Sequence, residues 1–368
     1  MAAKILILGG TGFTGRLIAR HLLERTDALV TIASRRIEKA EALVADIGRD
    51  LPERMEAVQA VAGDAASLNA VLPGQTIVIV ASPTTAHTEM VARLALLHGV
   101  DYLDVQLGAK KLAALRALTP QIEKAGRCFI TEAGFHPGLL SALVRYAAEQ
   151  FDRIETANTA CYLSIDKEIP YSDAVDELVD TFRNYNTQIF TGGHWTLPGV
   201  FQIRKIPFGG DIGTRESYSM FFEELRAMPS QFPSLRETGF FMAGGHWFTD
   251  WIVFPTAIAA LKLVPAAHRS IGRYLWWGMR RFQKAPYRTE LIIKASGLHA
   301  GQQTRFEAAV AHRDAYELTA MAVVAALLQY LEGMGRKPGL WMMGQLADPR
   351  RLFTDMKRMG VKVRTATS

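Results

Sequence analysis

Cysteine is scarce in this chain: Cys128 and Cys161 are the only two among 368 residues. Two cysteines cannot build a disulfide framework or a zinc cluster, so we predict no metal site and a reducing, cytoplasmic location. The first residues run directly into an apolar strand-like segment without the basic and apolar regions of a signal peptide. We therefore expect no secretory signal.

Long apolar runs and blocks of one charge are also missing. The formal net charge is +6 and the pI is near 9.3, but no Lys/Arg block is interleaved with stacking aromatics. This pattern excludes a typical nucleic-acid partner and suits an anionic cofactor or an acidic membrane surface. Hydrophobic residues make up 49% of the chain and charged residues 21%, which is typical of packed globular domains.

What the N-terminal part does contain is a regular alternation of strand and helix patterns. Apolar runs without alternation indicate strands buried on both faces, and amphipathic or glycine-terminated segments between them indicate helices. This alternation predicts an α/β fold, a Rossmann-type doubly wound parallel sheet that binds ligands at the carboxyl ends of its strands. The predicted strands are 4–8, 28–33, 55–64, 76–82, 101–106 and 127–134.

A glycine-rich stretch, "GGTGFTG", joins the first predicted strand to the first helix. Gly9 permits a tight turn, Gly12 allows a diphosphate to approach, and Gly15 lets the helix pack against the strand. A tight turn without a ligand is the alternative. The cofactor-binding residues predicted here are Gly9, Thr11, Gly12, Phe13, Thr14 and Gly15.

The end of the second predicted strand indicates which dinucleotide is preferred. NAD-binding sheets often carry an acidic residue there, whereas this chain has Ser34, Arg35 and Arg36. Arginine can bind a 2′-phosphate and stack on adenine, so we predict NADP. The alternative is that the two arginines are solvated or cap the next helix.

Three further positions complete the predicted dinucleotide site. Asp64 and Ala65 follow the third strand and would lie near adenine, although Asp64 could equally cap a helix over 66–72. Ser82 and Pro83 follow the fourth strand, at the expected position of the nicotinamide ribose. Gln106 follows the fifth strand, and we assign it to the same site.

Taken together, the order and spacing of these motifs resemble the saccharopine dehydrogenase (glutamate-forming) or saccharopine reductase-like family. The resemblance rests on Gly9/Gly12/Gly15, Arg35, Asp64, Pro83, the pair Tyr102/Asp104, and Gly134/Pro137/Gly138. It covers residues 4–145 well and returns weakly at 316–340. It implies an NADP-binding oxidoreductase with an inserted substrate domain, C-terminal helices that pack back on the first domain, and a homodimer.

Two departures from the family pattern bear on the substrate. His136 stands where relatives often carry an Asp, and Gln106-Leu107-Gly108 replaces a turn containing Ser or Glu. The resemblance therefore supports the superfamily and its cofactor but not saccharopine as the substrate.

The middle of the chain loses the regular alternation. We predict an NADP-binding domain over 1–145, an inserted α+β domain over 146–311 on a mixed or antiparallel sheet, and C-terminal helices over 312–368. Alternating residues indicate strands at 154–165, 288–299 and 303–312, and helical spacing indicates a helix over 172–190. The substrate cleft is expected between the domains.

Hydride transfer to a polar double bond needs a proton donor near the reacting atoms. His136 lies on a loop with glycine on either side and is the first candidate; a turn residue bonded to the backbone is the alternative. Asp104 could orient His136, bind the nicotinamide ribose or cap a helix, and Tyr102 is the third catalytic candidate. Other polar groups expected near the cleft are Tyr162, Tyr171 and His194.

Residues 244–286 are predicted to form an unusual apolar loop, with Trp and basic residues between 247 and 282. Its apolar run is too short and too interrupted to span a bilayer. The mixture is typical of a membrane interface, which would put the protein at the inner face of a membrane and give it access to a lipid-like substrate. A dimer interface or a cover over the active site is the alternative.

The leading functional prediction is an NADP(H)-dependent oxidoreductase that transfers a hydride to or from a C=N, C=O or activated C=C bond of a small or lipid-like molecule. The first alternative is an imine-reducing dehydrogenase of a small amino acid or polyamine precursor. The second alternative is a non-catalytic NADP-binding sensor or scaffold.

Overall fold

The computed structural model of the chain describes residues 2–164, 166, 168–172, 175–177, 179, 182, 185–197, 202–285 and 287–368. The chain divides into two units. The first consists of Met1–Gly138 and Thr319–Met356, and the second of Leu139–Leu318 and Lys357–Ser368.

The first unit is built on a seven-stranded sheet in which every pairing is parallel. Its order is β15-β6-β5-β4-β1-β2-β3, so the order reverses between β1 and β4. Ile5, Ile7 and Val78 are fully buried, as expected for strands covered on both faces. The predicted Rossmann-type fold is confirmed. The strands are β1 Lys4–Leu8, β2 Leu29–Ser34, β3 Met55–Gln59, β4 Ile77–Val80, β5 Asp101–Asp104, β6 Cys128–Thr131 and β15 Gly339–Met342.

Helices connect these strands in the alternation expected from the sequence. The segment around Pro120 forms two helices, because Pro120 lies in the first turn of the second one, where proline is tolerated. The helices before the second unit are α1 Phe13–Arg25, α2 Ile37–Ile47, α3 Ala65–Val71, α4 Thr88–Leu97, α5 Ala109–Ala117 and α6 Thr119–Lys124.

A C-terminal segment returns to the first unit through polar contacts with the buried carboxylate of Asp101. Helix α11 (Ala315–Leu331) brings Tyr330, whose hydroxyl donates to Asp101 at 2.6 Å, and Arg336 donates to the same carboxylate at 2.8 Å. Two short helices follow β15, α12 (Met343–Leu346) and α13 (Pro349–Arg358).

The second unit is built on a mixed nine-stranded sheet. Along the order β10-β11-β12-β7-β13-β14-β16 the pairings are antiparallel except β12 with β7, and β8 joins β12 and β9. The mixed or antiparallel sheet predicted for this region is confirmed. The strands are β7 Arg153–Leu163, β8 Ile189–Thr191, β9 His194–Thr196, β10 Ile203–Pro207, β11 Thr214–Met220, β12 Glu237–Ala243, β13 Thr289–His299, β14 Gln302–His312 and β16 Lys362–Thr367.

The domain limits differ from the predicted ones at both ends. Helix α7 (Leu140–Ala148) belongs to the second unit, although the first domain was expected to reach residue 145. Strand β16 pairs with β14, so residues 357–368 do not join the first unit as expected for 312–368. A short C-terminal strand carries no local signal that reveals its pairing partner.

The helix predicted over 172–190 is only partly tested. Residues 175–177, 179 and 182 are helical, whereas Ile189 and Phe190 begin β8. Its extension to residue 190 was therefore wrong, since these two residues pair with β9 and Phe190 also pairs with β12. Residues 173, 174, 178, 180, 181, 183 and 184 lie outside the described part of the chain.

The segment 244–286 was predicted to be a loop, but most of its described residues are helical, with a break at Val264. It contains a π-helical turn at Thr249–Val253 that runs into α9 (Phe254–Leu263), and then α10 (His268–Arg281). Val253, Leu275 and Trp276 are buried in a small apolar core beneath these helices. The short helix α8 (Met228–Gln231) also belongs to this unit.

Candidate functional site

The glycine turn after β1 has the geometry expected of a dinucleotide-binding turn. Gly9 has a φ of +81°, and a Cβ there would lie 2.6 Å from Cβ of Ser82. A Cβ on Gly15 would lie 2.4 Å from the Gly9 oxygen, so only glycine lets α1 pack this close. Gly12 is the N-cap of α1 and has no side chain to cover its first turn. Thr11, Phe13 and Thr14 complete the turn.

Backbone hydrogen bonds hold this turn between the ends of two neighbouring strands. The Gly9 N–H donates to the Ala33 carbonyl at 3.2 Å, and the Ala81 N–H donates to the Leu8 carbonyl at 2.8 Å. The ends of β1, β2 and β4 therefore meet where the strand order reverses, which is the general ligand position in this type of sheet.

The end of β2 presents two unpaired guanidinium groups. Ser34 is buried, and its hydroxyl accepts a hydrogen bond from the Arg36 N–H at 3.2 Å. Arg35 and Arg36 are exposed, and neither side chain forms an ion pair within the described residues. Arg36 occupies the N-cap of α2, but its side chain makes no capping bond. Both cations are therefore available for an anionic ligand.

Asp64 is engaged in a local structural contact. Its carboxylate accepts from the Ala66 N–H at 2.9 Å and the Ser67 N–H at 3.4 Å, so it caps α3, which begins at Ala65. This is the capping alternative that the sequence left open. Contact with adenine stays a prediction for Asp64 and Ala65.

Gln106 braces the loop that follows β4. Its amide nitrogen donates to the Ser82 carbonyl at 2.6 Å and to the Thr84 hydroxyl at 3.1 Å, while the Thr88 hydroxyl donates to its amide oxygen at 3.3 Å. Pro83 lies exposed between these contacts. Gln106 is itself buried, which makes it a positioning residue for the loop.

Asp104 is fully buried in a polar network at the ends of β5 and β6. The Lys111 ammonium donates to its Oδ1 at 2.8 Å and to the Thr131 hydroxyl at 2.7 Å, and that hydroxyl donates to its Oδ2 at 2.8 Å. Backbone N–H groups of Gln106 and Glu132 also donate to it. Asp104 has no exposed surface and holds the backbone of Gln106 and Glu132, while a catalytic role for it stays a prediction.

Tyr102 likewise lies in the core of the first unit. It is fully buried and stacks on Phe129 with ring centroids 5.2 Å apart. Burial, followed by the charge of Asp104, raises the pKa of its phenol well above the usual value. The phenol therefore stays protonated at neutral pH, and a catalytic role for Tyr102 stays a prediction.

His136 lies on the loop after β6, as the sequence predicted. The loop turns at Gly138, which has a φ of +124° and where a Cβ would lie 2.3 Å from the Gly134 oxygen. The His136 ring lies 3.9 Å from that of Phe135, measured between centroids. Burial lowers the pKa of His136 to about 4, so its imidazole is neutral at pH 7.

Two residues near the carboxyl ends of β5 and β6 were not identified from the sequence. Lys111 was read only as part of a helix, yet its side chain is buried and holds Asp104. Glu132 directly follows β6, is 3% exposed and has a φ of +53°, a conformation uncommon outside glycine. A carboxylate immediately after a buried strand, in "ITEAGFHPG", was the signal that could have identified Glu132.

The remaining candidates belong to the second unit. The Arg215 guanidinium carbon lies over the ring of Tyr162, 5.5 Å from the ring centroid. Tyr171 donates to Asp176, and burial together with this contact raises the pKa of its phenol. His194 is exposed on β9. The structure gives no common site for these three residues.

Other types of site find no support among the described residues. They contain no group of three or more His, Cys, Asp or Glu side chains that could hold a metal ion. None of the helices in the described part of the chain is long and apolar enough to cross a membrane. The groups at the carboxyl ends of β1, β2 and β4 instead fit NADP. Backbone N–H groups at the start of α1 can bind a diphosphate, and the guanidinium groups that follow β2 can bind a further phosphate.

Comparisons with known proteins agree with this assignment. Residues 5–130 match the family described as saccharopine dehydrogenase NADP binding domain. A carboxynorspermidine synthase of Vibrio cholerae is 24% identical over 398 aligned residues, which cover 96% of this chain and 94% of that protein. A saccharopine dehydrogenase [NADP(+), L-glutamate-forming] of Saccharomyces cerevisiae is 29% identical over 157 residues, covering 43% of this chain and 32% of that protein.

A solved structure extends the similarity to the fold of the whole chain. The apo saccharopine dehydrogenase (L-Glu forming) from Saccharomyces cerevisiae superposes with a TM-score of 0.71 at 16% identity, covering 100% of both chains. At this identity the likeness shows the fold. The family model and the yeast relative confirm the resemblance drawn from the sequence motifs, and the family model confirms the NADP prediction.

Proposed function

We propose that this chain, an NADP-binding oxidoreductase of the saccharopine dehydrogenase-like family, reduces the C=N bond of a small imine derived from an amino acid or polyamine precursor. The observation that carries the proposal is the alignment with a carboxynorspermidine synthase over 96% of the chain. By its name that relative makes a carboxylated polyamine, and the yeast relative forms L-glutamate with NADP(+). Both names point to small compounds that carry nitrogen and carboxylate groups.

The dinucleotide binds at the carboxyl ends of β1 and β4 in the first sheet. The backbone N–H groups at the start of α1 hold the diphosphate, and the absence of a side chain at Gly12 lets it approach. Arg35 and Arg36 hold the phosphate on the adenosine ribose, and Gln106 fixes the Ser82–Thr84 loop against the nicotinamide side. Bound NADPH supplies the hydride.

The protonation state of His136 favours an imine over a carbonyl substrate. Burial lowers the pKa of His136 to about 4, so its imidazole is largely neutral at pH 7 and is a poor proton donor. Reduction of C=O leaves an alkoxide that must take a proton from a donor. A protonated imine already carries that proton: the hydride adds to carbon, the π electrons move to nitrogen, and the product is a neutral amine.

A turnover assay with matched substrates tests the proposal. The purified chain would be mixed with NADPH and an aldehyde alone, an amine alone, or both together so that an imine forms. The oxidation of NADPH is monitored by its absorbance. We expect it only when aldehyde and amine are both present. Chemical reduction of the same imine with borohydride gives the expected secondary amine as a standard. Mass spectrometry then compares the enzymatic product with this standard.

Other outcomes would point to the alternatives. Oxidation with an aldehyde alone, or with an activated C=C or lipid-like acyl substrate alone, would refute imine reduction. Tight NADPH binding with no turnover on any substrate class would favour the non-catalytic sensor. A homodimer and a cytoplasmic location stay predictions, to be tested by light scattering and by fractionation.

A further inference from the structure

An exposed apolar face on the second unit is unused by the proposed reaction. Helix α9 ends at Leu263, which is 80% exposed, and the next residue, Val264, is 53% exposed. Trp277 on α10 is 44% exposed. We call the following set the hairpin face; its large exposed apolar side chains are Trp247, Trp251, Ile252, Leu263, Val264, Tyr274 and Trp277.

The exposed positions follow one side of each helix. Along α10, exposed residues recur at 269, 273, 277 and 281, a spacing of four that keeps them on one helical face. Along the π-helical turn and α9, exposed residues recur at 251, 252, 255, 256, 259, 262 and 263. The Thr256 and Tyr274 hydroxyls lie 3.3 Å apart, so the exposed sides of the two helices adjoin.

The face rests on a well-packed support. A Cβ added to Gly278 would lie 2.6 Å from Val253, which shows how closely the two helical segments pack. The Thr249 hydroxyl donates to the Gly278 carbonyl at 2.8 Å, and Leu275 and Trp276 are buried beneath. The exposed side chains are therefore displayed by an ordered helical pair.

The charge of the segment is strongly one-sided. Residues 244–286 contain six lysines and arginines, Lys262, Arg269, Arg273, Arg280, Arg281 and Lys284, and a single carboxylate, Asp250. Asp250 is partly buried and accepts from the Gly245 N–H at 3.3 Å. Arg273 and Arg281 are exposed on α10. Arg269 is also exposed, but its Nε lies 3.8 Å from the Asp176 carboxylate, so it is partly neutralised.

We propose that the hairpin face binds the surface of an anionic lipid bilayer. Trp and Tyr prefer the headgroup level of a membrane, and flanking Lys and Arg attract anionic headgroups. Leu263 and Val264, at the end of α9, enter the acyl boundary. A second copy of the chain fits less well, because a two-fold contact would set the exposed arginines of one copy against those of the other.

Flotation of the full chain with vesicles tests this binding. The vesicles would be pure phosphatidylcholine, or phosphatidylcholine with about one third phosphatidylglycerol, at about 0.1 M and about 0.5 M salt. We expect binding to the anionic vesicles at low salt, at least tenfold weaker binding at high salt, and at least tenfold weaker binding of the double variant Leu263→Glu/Val264→Glu. The matched control is Leu97→Glu, which changes a leucine that is 71% exposed on the first unit.

Every result bears on the proposal. The proposal is overturned if the unmodified chain does not bind anionic vesicles. It is also overturned if the double variant and the control bind them equally well. A concentration-dependent dimer, seen by light scattering without vesicles and lost in the double variant, would assign the face to a second copy if anionic vesicles do not bind. Circular dichroism and thermal unfolding of the same variants verify that they fold, and NADPH binding measured beside them keeps this test separate from imine reduction.

Discussion

Lys111 and Asp104 form an ion pair in which Nζ lies 2.8 Å from Oδ1 and neither side chain has any exposed surface. The same Asp104 accepts the Gln106 N–H, and Gln106 in turn holds the loop after β4. The pair therefore links the interior of the first unit to a loop of the cofactor site.

Removing the cation should destabilise the protein strongly. Lys111→Met leaves a buried carboxylate without its partner, which typically costs about 3–5 kcal/mol of unfolding free energy. The double variant Lys111→Met/Asp104→Asn removes both charges and should lose less than the sum of the two single variants. Urea unfolding measures all three; a loss below about 1 kcal/mol in Lys111→Met would show that the pair contributes little.

The two arginines after β2 should determine the preference for NADPH. Arg35→Ala and Arg36→Ala each remove a charge-assisted contact worth about 1.5–3 kcal/mol, so NADPH should bind roughly 10- to 100-fold more weakly. NADH, which lacks the 2′-phosphate, should be affected far less. Calorimetry with both dinucleotides measures this, with the exposed Arg49→Ala as the control. Equal losses for NADPH and NADH would contradict the assigned role.

Two glycines of the turn should respond differently to alanine. Gly15→Ala puts a Cβ 2.4 Å from a backbone oxygen, so the turn must shift and both stability and NADPH binding should fall. At Gly12 the nearest atom would be 3.2 Å from the new Cβ, so Gly12→Ala should fold nearly normally and mainly weaken NADPH binding. Thermal unfolding and calorimetry separate the two effects. Similar unfolding temperatures for both variants would be inconsistent with this geometry.

Stability should fall in mild acid because of His136. Its pKa is about 4 in the folded protein and near 6.5 when unfolded, so between these values the unfolded state binds more protons. His136 should therefore contribute a loss of about 1 kcal/mol per pH unit as the pH falls from 6.5 towards 4. His136→Gln should flatten this dependence in urea titrations, and His299→Gln, an exposed site, should not. A pH profile unchanged in His136→Gln would argue against burial of the imidazole.

The first sheet could be predicted from sequence because its signals are local. Apolar runs such as Ile77–Val80 and the glycine turn each specify their structure within a few residues. The second sheet depends on pairings between distant segments, so the parallel contact of β12 with β7 and the place of β16 carry no local sequence signal.

Burial is the property of the predicted site that the sequence could not show. Tyr102 and Asp104 follow the family pattern. The sequence does not reveal that Phe129 stacks on Tyr102, or that Lys111 neutralises Asp104. Residues 244–286 were predicted to be a loop, because Pro255 interrupts the apolar run. In the structure Pro255 lies where the π-helical turn Thr249–Val253 joins α9, so the helical run continues through it.

The parallel pairing of β15 with β6 has a consequence for biosynthesis. The edge of β6 is translated early, but residues 339–342 that cover it emerge only after almost all of the second sheet has been made. A nascent chain thus carries an uncovered strand edge during most of its translation. Chain-release and chaperone-capture experiments on stalled ribosomes would detect this long interval of exposure.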